Sequence, residues 1–231
     1  MLGDLLGPLR LRRLRRAFAQ AAGQAPAGPL ADYYAQGLAD LGAPLADTRM
    51  VAIDLETDGL DTQASALLEA GFVGMDASRI DLSGARRIRF RPRTALSADS
   101  VVIHGITDDA AAEALAEPEA LAGLLPHLAG KVLVAHFAQI EAGFLDAACQ
   151  RVFGAPFVAP FVCTMQLETR WFPRERAADG LRLGKLRARY GLPAYHAHDG
   201  LVDAIACGEL LLAQLAHRGC AGLTVADLLR R

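Results

Sequence analysis

Met50-Val-Ala-Ile-Asp-Leu55 is a run of apolar residues broken by one charge, and Glu56 follows it directly. Such a run reads as a buried strand. An acid inside an apolar segment is informative, because a buried charge is costly unless it is paired or bound to a metal. Side chains alternate faces along a strand, so Asp54 and Glu56 point the same way near its C-terminal end. Two carboxylates placed like this can grip a divalent cation. On its own the Asp-x-Glu pattern is weak evidence, since most such pairs are solvated strand ends.

Outward from this strand, Leu67 to Met75 and Arg86 to Arg91 read as two more, joined by connections rich in Asp, Ser and Gly. Strands so closely spaced predict an antiparallel meander. Glu119 to Leu128 reads as a helix that Pro126 is placed to shorten. Lys131 to Ala135 reads as a strand, Gln139 to Phe153 as a helix with Ile140, Phe144 and Leu145 on its apolar side, and Phe161 to Cys163 as the last strand. Leu181 to Tyr190 and Asp199 to Leu215 have helical patterns. A meander followed by strand–helix alternation predicts an α/β fold, a mixed sheet flanked by helices.

The division expected is a helical N-terminal extension over residues 1–46 and one main domain over residues 47–231. The extension carries leucines at helical spacing from Leu2 to Phe18 with a basic run, Arg10, Arg12, Arg13, Arg15 and Arg16. A Gly/Pro/Ala/Gln stretch and a short helix around Ala31 to Leu41 follow. The basic run suits phosphates, a membrane surface or an acidic partner. It equally suits a solvated helix face whose apolar side packs on the main domain.

The chain has 231 residues, 52% of them hydrophobic, with mean hydropathy +0.22 and a formal net charge of −2. A core is well supplied. A whole-chain basic signal for nucleic acid is absent, so an anionic partner must be held by local patches or metal ions. Cys149, Cys163, Cys207 and Cys220 form no CxxC pair, which argues against a zinc site or a disulfide framework and for reduced, packing thiols. No uninterrupted apolar run approaches the roughly 20 residues that span a bilayer. Asp4 precedes the arginines, the reverse of a signal peptide, and the expectation is a cytoplasmic protein without membrane partners.

Two further acidic features stand out. Glu141 falls in the first turn of a helix directly after a strand, where the helix dipole favours a negative group. His136 nearby reads most simply as a structural, hydrogen-bonded histidine. In His198-Asp-Gly-Leu-Val-Asp203-Ala-Ile-Ala, Asp203 lies on a face shared with apolar residues. Asp199 is a credible N-cap, which leaves His198 just outside the helix. An imidazole beside a metal cluster suits a general base.

Taken together, these segments resemble the DEDD exonuclease superfamily. Val51-Ala-Ile-Asp-Leu-Glu-Thr57-Asp-Gly-Leu60 is similar to its first motif, Val134-Ala-His-Phe-Ala-Gln-Ile-Glu-Ala-Gly-Phe-Leu145 to its second, and His198-x4-Asp203 to its third in the histidine (DEDDh) form. His104-Gly-Ile-Thr107, Cys163-Thr-Met165 and Leu181-Arg-Leu-Gly-Lys-Leu186 before Tyr190-Gly-Leu192 add subsidiary matches. The wording is closest to the epsilon proofreading subunits of bacterial DNA polymerase III and the stand-alone proteins like them.

The resemblance implies a ribonuclease H-like fold with a five-stranded mixed sheet, and metal-dependent 3′–5′ exonuclease activity that releases nucleoside 5′-monophosphates, DNA being preferred over RNA. It further implies two ions, Mg²⁺ or Mn²⁺, held by Asp54, Glu56, Asp203 and Glu141, with His198 as general base. Thr57, Gly59, Leu60 and His104 match positions lining the terminal-nucleotide pocket, and Arg182, Arg187, Arg189 or the N-terminal run are placed to guide the strand. A DNA polymerase subunit is the protein partner the resemblance suggests.

Departures from the pattern are specific. Glu141 stands where the family has aspartate, Phe137 where it has asparagine, and Asp58 where a second threonine is common, adding negative charge near the path of the strand. Tyr195-x3-Asp199 mimics the third motif of the superfamily's tyrosine branch; the apolar run after Asp203 favours the histidine branch. The rival readings are an RNA-trimming exoribonuclease of the same fold and a catalytically idle scaffold that binds nucleic acid or a polymerase.

Overall fold

A computed structural model describes residues 6–92, 114–172 and 180–229. In chain order its helices are α1 (Leu6–Gln24), α2 (Pro29–Ala35), α3 (Glu117–Leu128), α4 (Gln139–Phe153), α5 (Thr164–Trp171), α6 (Leu183–Arg189), α7 (Gly200–Arg218) and α8 (Val225–Leu229). The strands are β1 (Met50–Thr57), β2 (Leu67–Met75), β3 (Ile80–Arg89), β4 (Val132–Ala135) and β5 (Phe161–Cys163).

They form one five-stranded mixed sheet in the order β3-β2-β1-β4-β5. β1, β2 and β3 are the antiparallel meander, and β4 and β5 add on the other side of β1 in parallel. The two-residue period of β1 sorts its side chains between two cores. Val51, Ile53 and Leu55 join a cluster with Leu121, Leu124 and Leu125 of α3 and Phe144 and Leu145 of α4. Met50 and Ala52 join another with Ala206, Cys207, Leu210 and Leu211 of α7. Asp54 and Glu56 continue the second set, so they face the side that α7 covers. The sandwich predicted from the meander and the strand–helix alternation is the one observed.

Several boundaries differ from the sequence reading, each for a local reason. β3 begins at Ile80 rather than Arg86, because Asp81 and Ser83 belong to an exposed edge strand whose polar composition resembles a loop. α2 ends at Ala35, where Gly37 at φ 77° takes the left-handed position that stops a helix. α3 continues past Pro126 to Leu128. α1 runs on to Gln24, and α5 and α8 are short helices that the sequence reading did not single out.

Phe18 and Ala21 of α1, with Leu30, Tyr33 and Tyr34 of α2, belong to the first of these cores, while Leu11 and Leu14 pack against the second. Phe18 meets the Tyr34 ring edge-on at 4.9 Å, and Tyr33 and Phe157 lie 5.0 Å apart. The Tyr33 hydroxyl donates to the Val158 carbonyl (3.0 Å) and the Tyr34 hydroxyl to that of Pro156 (2.7 Å).

Candidate active site

Asp54, Glu56 and Asp203 each offer a carboxylate oxygen, and these atoms lie within 4.8 Å of one another. β1 supplies the first two and α7 the third. The start of α7 is set by Asp199, whose side chain accepts the Val202 amide (3.1 Å), and Asp203 follows one turn later on the sheet-facing side. The helix can come this close because Gly71, the ladder partner of Asp54, has no side chain: a Cβ there would sit 2.1 Å from the Gly200 carbonyl carbon.

Asp203 is held on both oxygens. Oδ2 accepts the backbone amides of His198 (2.7 Å) and Asp199 (3.2 Å), and Oδ1 accepts the Tyr195 hydroxyl (2.8 Å). The Arg187 guanidinium lies over the Tyr195 ring at 4.9 Å and is itself buried, donating to the carbonyls of Ala206 (2.8 Å) and Pro193 (3.1 Å) and pairing with Glu209 (2.7 Å). Arg187 is therefore committed to the fold and does not guide a strand, contrary to the expectation for it. Arg182 and Lys185, both exposed, do line the cavity beside the acids. The contact from Tyr195 to Asp203 was not foreseen, because it depends on the irregular segment before α7.

Asp199 is engaged elsewhere. Arg87 reaches it at 2.5 Å and also pairs with Glu69 (3.1 Å), which Arg89 holds on its other oxygen (3.2 Å). Glu69 stands opposite Glu56 in the β1–β2 ladder, so these arginines neutralise one member of a facing acidic pair. The geometry thus gathers Asp203, not Asp199, with Asp54 and Glu56.

Glu141 lies outside the 4.8 Å set, yet it faces the same region. It is 4% exposed, and its Oε2 is buried without a hydrogen-bond partner. Burial pushes its carboxyl up to about 8. Burial, and then the charges of Glu141, Asp203, Glu56 and Glu69, hold Asp54 well above the ordinary carboxylate range. An unpartnered buried carboxylate oxygen beside three converging acids is what a divalent cation relieves, and an all-carboxylate set suits hard ions such as Mg²⁺ or Mn²⁺. These residues fit such ions.

His198 is exposed, lines the same cavity of about 930 Å³, and adopts φ 68°, a left-handed conformation that non-glycine residues seldom take. His136 is tied to the Thr164 hydroxyl (2.8 Å) and the Leu181 carbonyl (2.7 Å), with its pKa lowered mainly by burial, as befits a structural histidine. The Thr57 hydroxyl donates to the Gly59 carbonyl (2.7 Å), and a Cβ on Gly59 would meet Ser65 Oγ at 2.5 Å. Leu60 is 79% exposed. His104 lies outside the described residues. Asp58 Oδ1 accepts the Ala66 amide (2.6 Å), which puts that charge to use in closing its own loop. Phe137, where the family has asparagine, stands at φ 69° and is 43% exposed.

Residues 51–211 match the RNase T exonuclease family. The chain belongs to that exonuclease family. The DNA polymerase III epsilon subunit of Treponema pallidum (strain Nichols) is 30% identical over 166 residues, 72% of this chain and 76% of that protein. PolC-type DNA polymerase III of Thermotoga maritima is 26% identical over 166 residues, but the match spans 12% of its length. Among solved structures, exonuclease X with 5′ overhanging duplex DNA superposes with a TM-score of 0.57 at 24% identity, over 79% of this chain and 99% of that one. The nuclease domain of 3′hExo, a DEDDh family member bound to rAMP, gives 0.64 at 18%, over 74% and 93%. This exonuclease has the ribonuclease H-like fold of the DEDDh group, acts hydrolytically on nucleic acid, and belongs to a family whose chemistry depends on divalent metal.

Proposed function

We propose that the protein removes nucleotides one at a time from the 3′ end of single-stranded DNA, releasing nucleoside 5′-monophosphates. Asp54, Glu56 and Asp203, with Glu141, would hold two Mg²⁺ or Mn²⁺ ions, whose chemistry is to activate water and neutralise charge on the scissile phosphate. The observation that carries this reading is the convergence of three carboxylates within 4.8 Å beside the unpartnered oxygen of Glu141.

The protein's own groups have distinct tasks. Tyr195 and the two amides at the start of α7 fix the orientation of Asp203. His198, presented to the cavity by its left-handed backbone, takes the proton from the attacking water. Arg182 and Lys185 draw the phosphate toward the acids, which offsets the net negative charge of the chain. Thr57, Gly59 and Leu60 form the terminal-nucleotide pocket, and the exposed Leu60 side chain stacks against the last base. The extra methylene of Glu141 is absorbed by side-chain retraction, so activity is retained. Such an arrangement argues against an idle scaffold, for which the cluster of buried acids would be pure cost.

DNA is favoured by the likeness to an epsilon subunit, which also makes a DNA polymerase the protein partner to test first. An RNA substrate is favoured by the likeness to 3′hExo, described with rAMP. A 5′-labelled single-stranded DNA oligonucleotide and its RNA counterpart, incubated with Mn²⁺, separate the two. The DNA should shorten in single-nucleotide steps faster than the RNA, and Asp54→Asn should lose more than about 100-fold in rate, the most that even indirect supports of a metal site cost. Unchanged turnover in that variant would refute the assignment.

A further inference from the structure

Two helix N-termini and two arginines meet around a cavity of about 490 Å³ that the metal-site reading does not use. α4 enters it through Ala138 and Gln139, α5 through Cys163 and Gln166, and Arg10 and Arg13 of α1 close it. Neither helix start has a side-chain cap: the N-cap residues are Ala138 and Cys163, and neither makes a side-chain hydrogen bond. In α4 the Ile140 amide is taken by the Phe137 carbonyl (3.0 Å), and each helix turns the positive end of its dipole toward the cavity.

No acidic side chain is among the described residues that line this cavity. Yet the Nη1 of Arg10 is buried there with no hydrogen-bond partner. An arginine nitrogen shielded from water and left without an acceptor is costly, and two helix dipoles of the same sign make it more so. The missing component is an anion with several acceptor oxygens, as a phosphate group has. Outside the cavity, Arg12, Arg15 and Arg16 are exposed along the same helix and extend the positive surface into solvent.

We infer that this cavity binds a backbone phosphate of the nucleic-acid strand whose 3′ end lies at the acidic cluster. The cavity and the cluster share one rim of the molecule, where β1, β4 and β5 end. Within the first turn of α4, Glu141 faces Asp54, while Gln139 and Ala142 border the cavity. A strand held at both places crosses that turn. The inference rests on the function proposed above, and it makes α1 a second point of grip for long substrates.

The test uses the full chain and fluorescence anisotropy with labelled dT12 and dT2 in Ca²⁺, a hard ion that carboxylates bind, with 3′-terminal phosphorothioate linkages to suppress turnover. Arg10→Ala/Arg13→Ala should weaken dT12 binding about 10-fold and reduce the slope of log K against log salt by about 1.4, from two lost contacts at roughly 0.7 each on single strands. Binding of dT2, whose single internucleotide phosphate cannot occupy the cluster and the cavity together, should be unchanged. So should kcat on p-nitrophenyl thymidine 5′-phosphate. Arg13→Ala alone, at an exposed position, should give about half the change in slope and guards against misfolding of the double variant. A millimolar addition of inorganic phosphate should displace dT12 from the wild type toward the affinity of the variant.

Equal dT12 affinity and salt slope in the wild type and both variants overturns the inference. So does an equal loss on dT2, which would place the arginines in the terminal-nucleotide pocket. Polyglutamate binding that the double variant loses, with dT12 binding intact, assigns the cavity to an acidic protein instead and also overturns it. An anisotropy difference in a wild-type protein without nuclease activity leaves this cavity standing and removes the proposed function.

Discussion

Asp54 is surrounded by like charge. Glu141, Asp203, Glu56 and Glu69 all act on it, and burial adds to their effect. Replacing it with asparagine removes a charge that the metal-free fold resists, so Asp54→Asn should abolish activity while stabilising the metal-free protein by about 0.5–2 kcal/mol. Melting curves in EDTA read the second effect; a destabilised variant would show that the acid serves the fold rather than an ion. The same electrostatics set a pH dependence. Glu141 keeps its proton up to about 8 when folded but only to about 4.5 when unfolded. Its contribution to stability is complete below about 4.5 and is lost as pH rises through about 8. In EDTA the melting temperature should fall across that window, and Mn²⁺ should restore it most at the alkaline end; a pH-independent gain from Mn²⁺ would contradict this. Tyr195→Phe removes one hydrogen bond to Asp203, worth roughly 1.5–3 kcal/mol at a charged acceptor. It should raise the Mn²⁺ concentration needed for half-maximal rate at least several-fold, with little change in KM. The shared face of Asp54 and Glu56 was legible from strand alternation alone, whereas the bond from Tyr195 was not, since no periodicity governs the segment that carries it.

At the scale of elements, the decisive contact is the approach of α7 to β2. Gly71→Ala would place a methyl group 2.1 Å from the Gly200 backbone, and backbone cannot yield as a flexible side chain does. The helix must lift, which costs on the order of 1–3 kcal/mol. It also carries Asp203 away from β1, so activity should fall far more than stability, as circular dichroism and rate measurements together would show. Full activity would contradict the close-approach argument. Asp199→Ala removes an N-cap, at about 1 kcal/mol, and leaves Arg87 with Glu69 alone. It should leave a measurable fraction of the rate, whereas Asp203→Ala should leave none; the reverse order would place the third acid at Asp199. Buried elements such as β1 and β4 were legible because apolar residues dominate them, with Asp54 and Glu56 standing out in β1. The start of β3 was not: an edge strand half in water carries the same Asp, Ser and Gly as a turn. α5 escaped notice because it follows β5 with no intervening loop to mark its start.

For the whole molecule, the meander and the later strand–helix alternation were enough to predict the mixed sheet. The part of the N-terminal extension was less legible. Its leucine spacing shows an apolar side but not where that side docks, and the answer lies in long-range contacts such as those of Tyr33 and Tyr34 with residues 156–158. Phe18 joins the same core. Phe18→Ala should therefore cost about 3–5 kcal/mol of stability, as read by chemical denaturation; a loss under 1 kcal/mol would make α1 a loosely attached arm.

The central claim concerns the ions, and the most direct measurement is anomalous diffraction from a crystal soaked in Mn²⁺. Peaks bounded by Asp54, Glu56 and Asp203, with Glu141 turned toward them, are the predicted result. An empty site at saturating Mn²⁺, with those side chains directed apart, would contradict it.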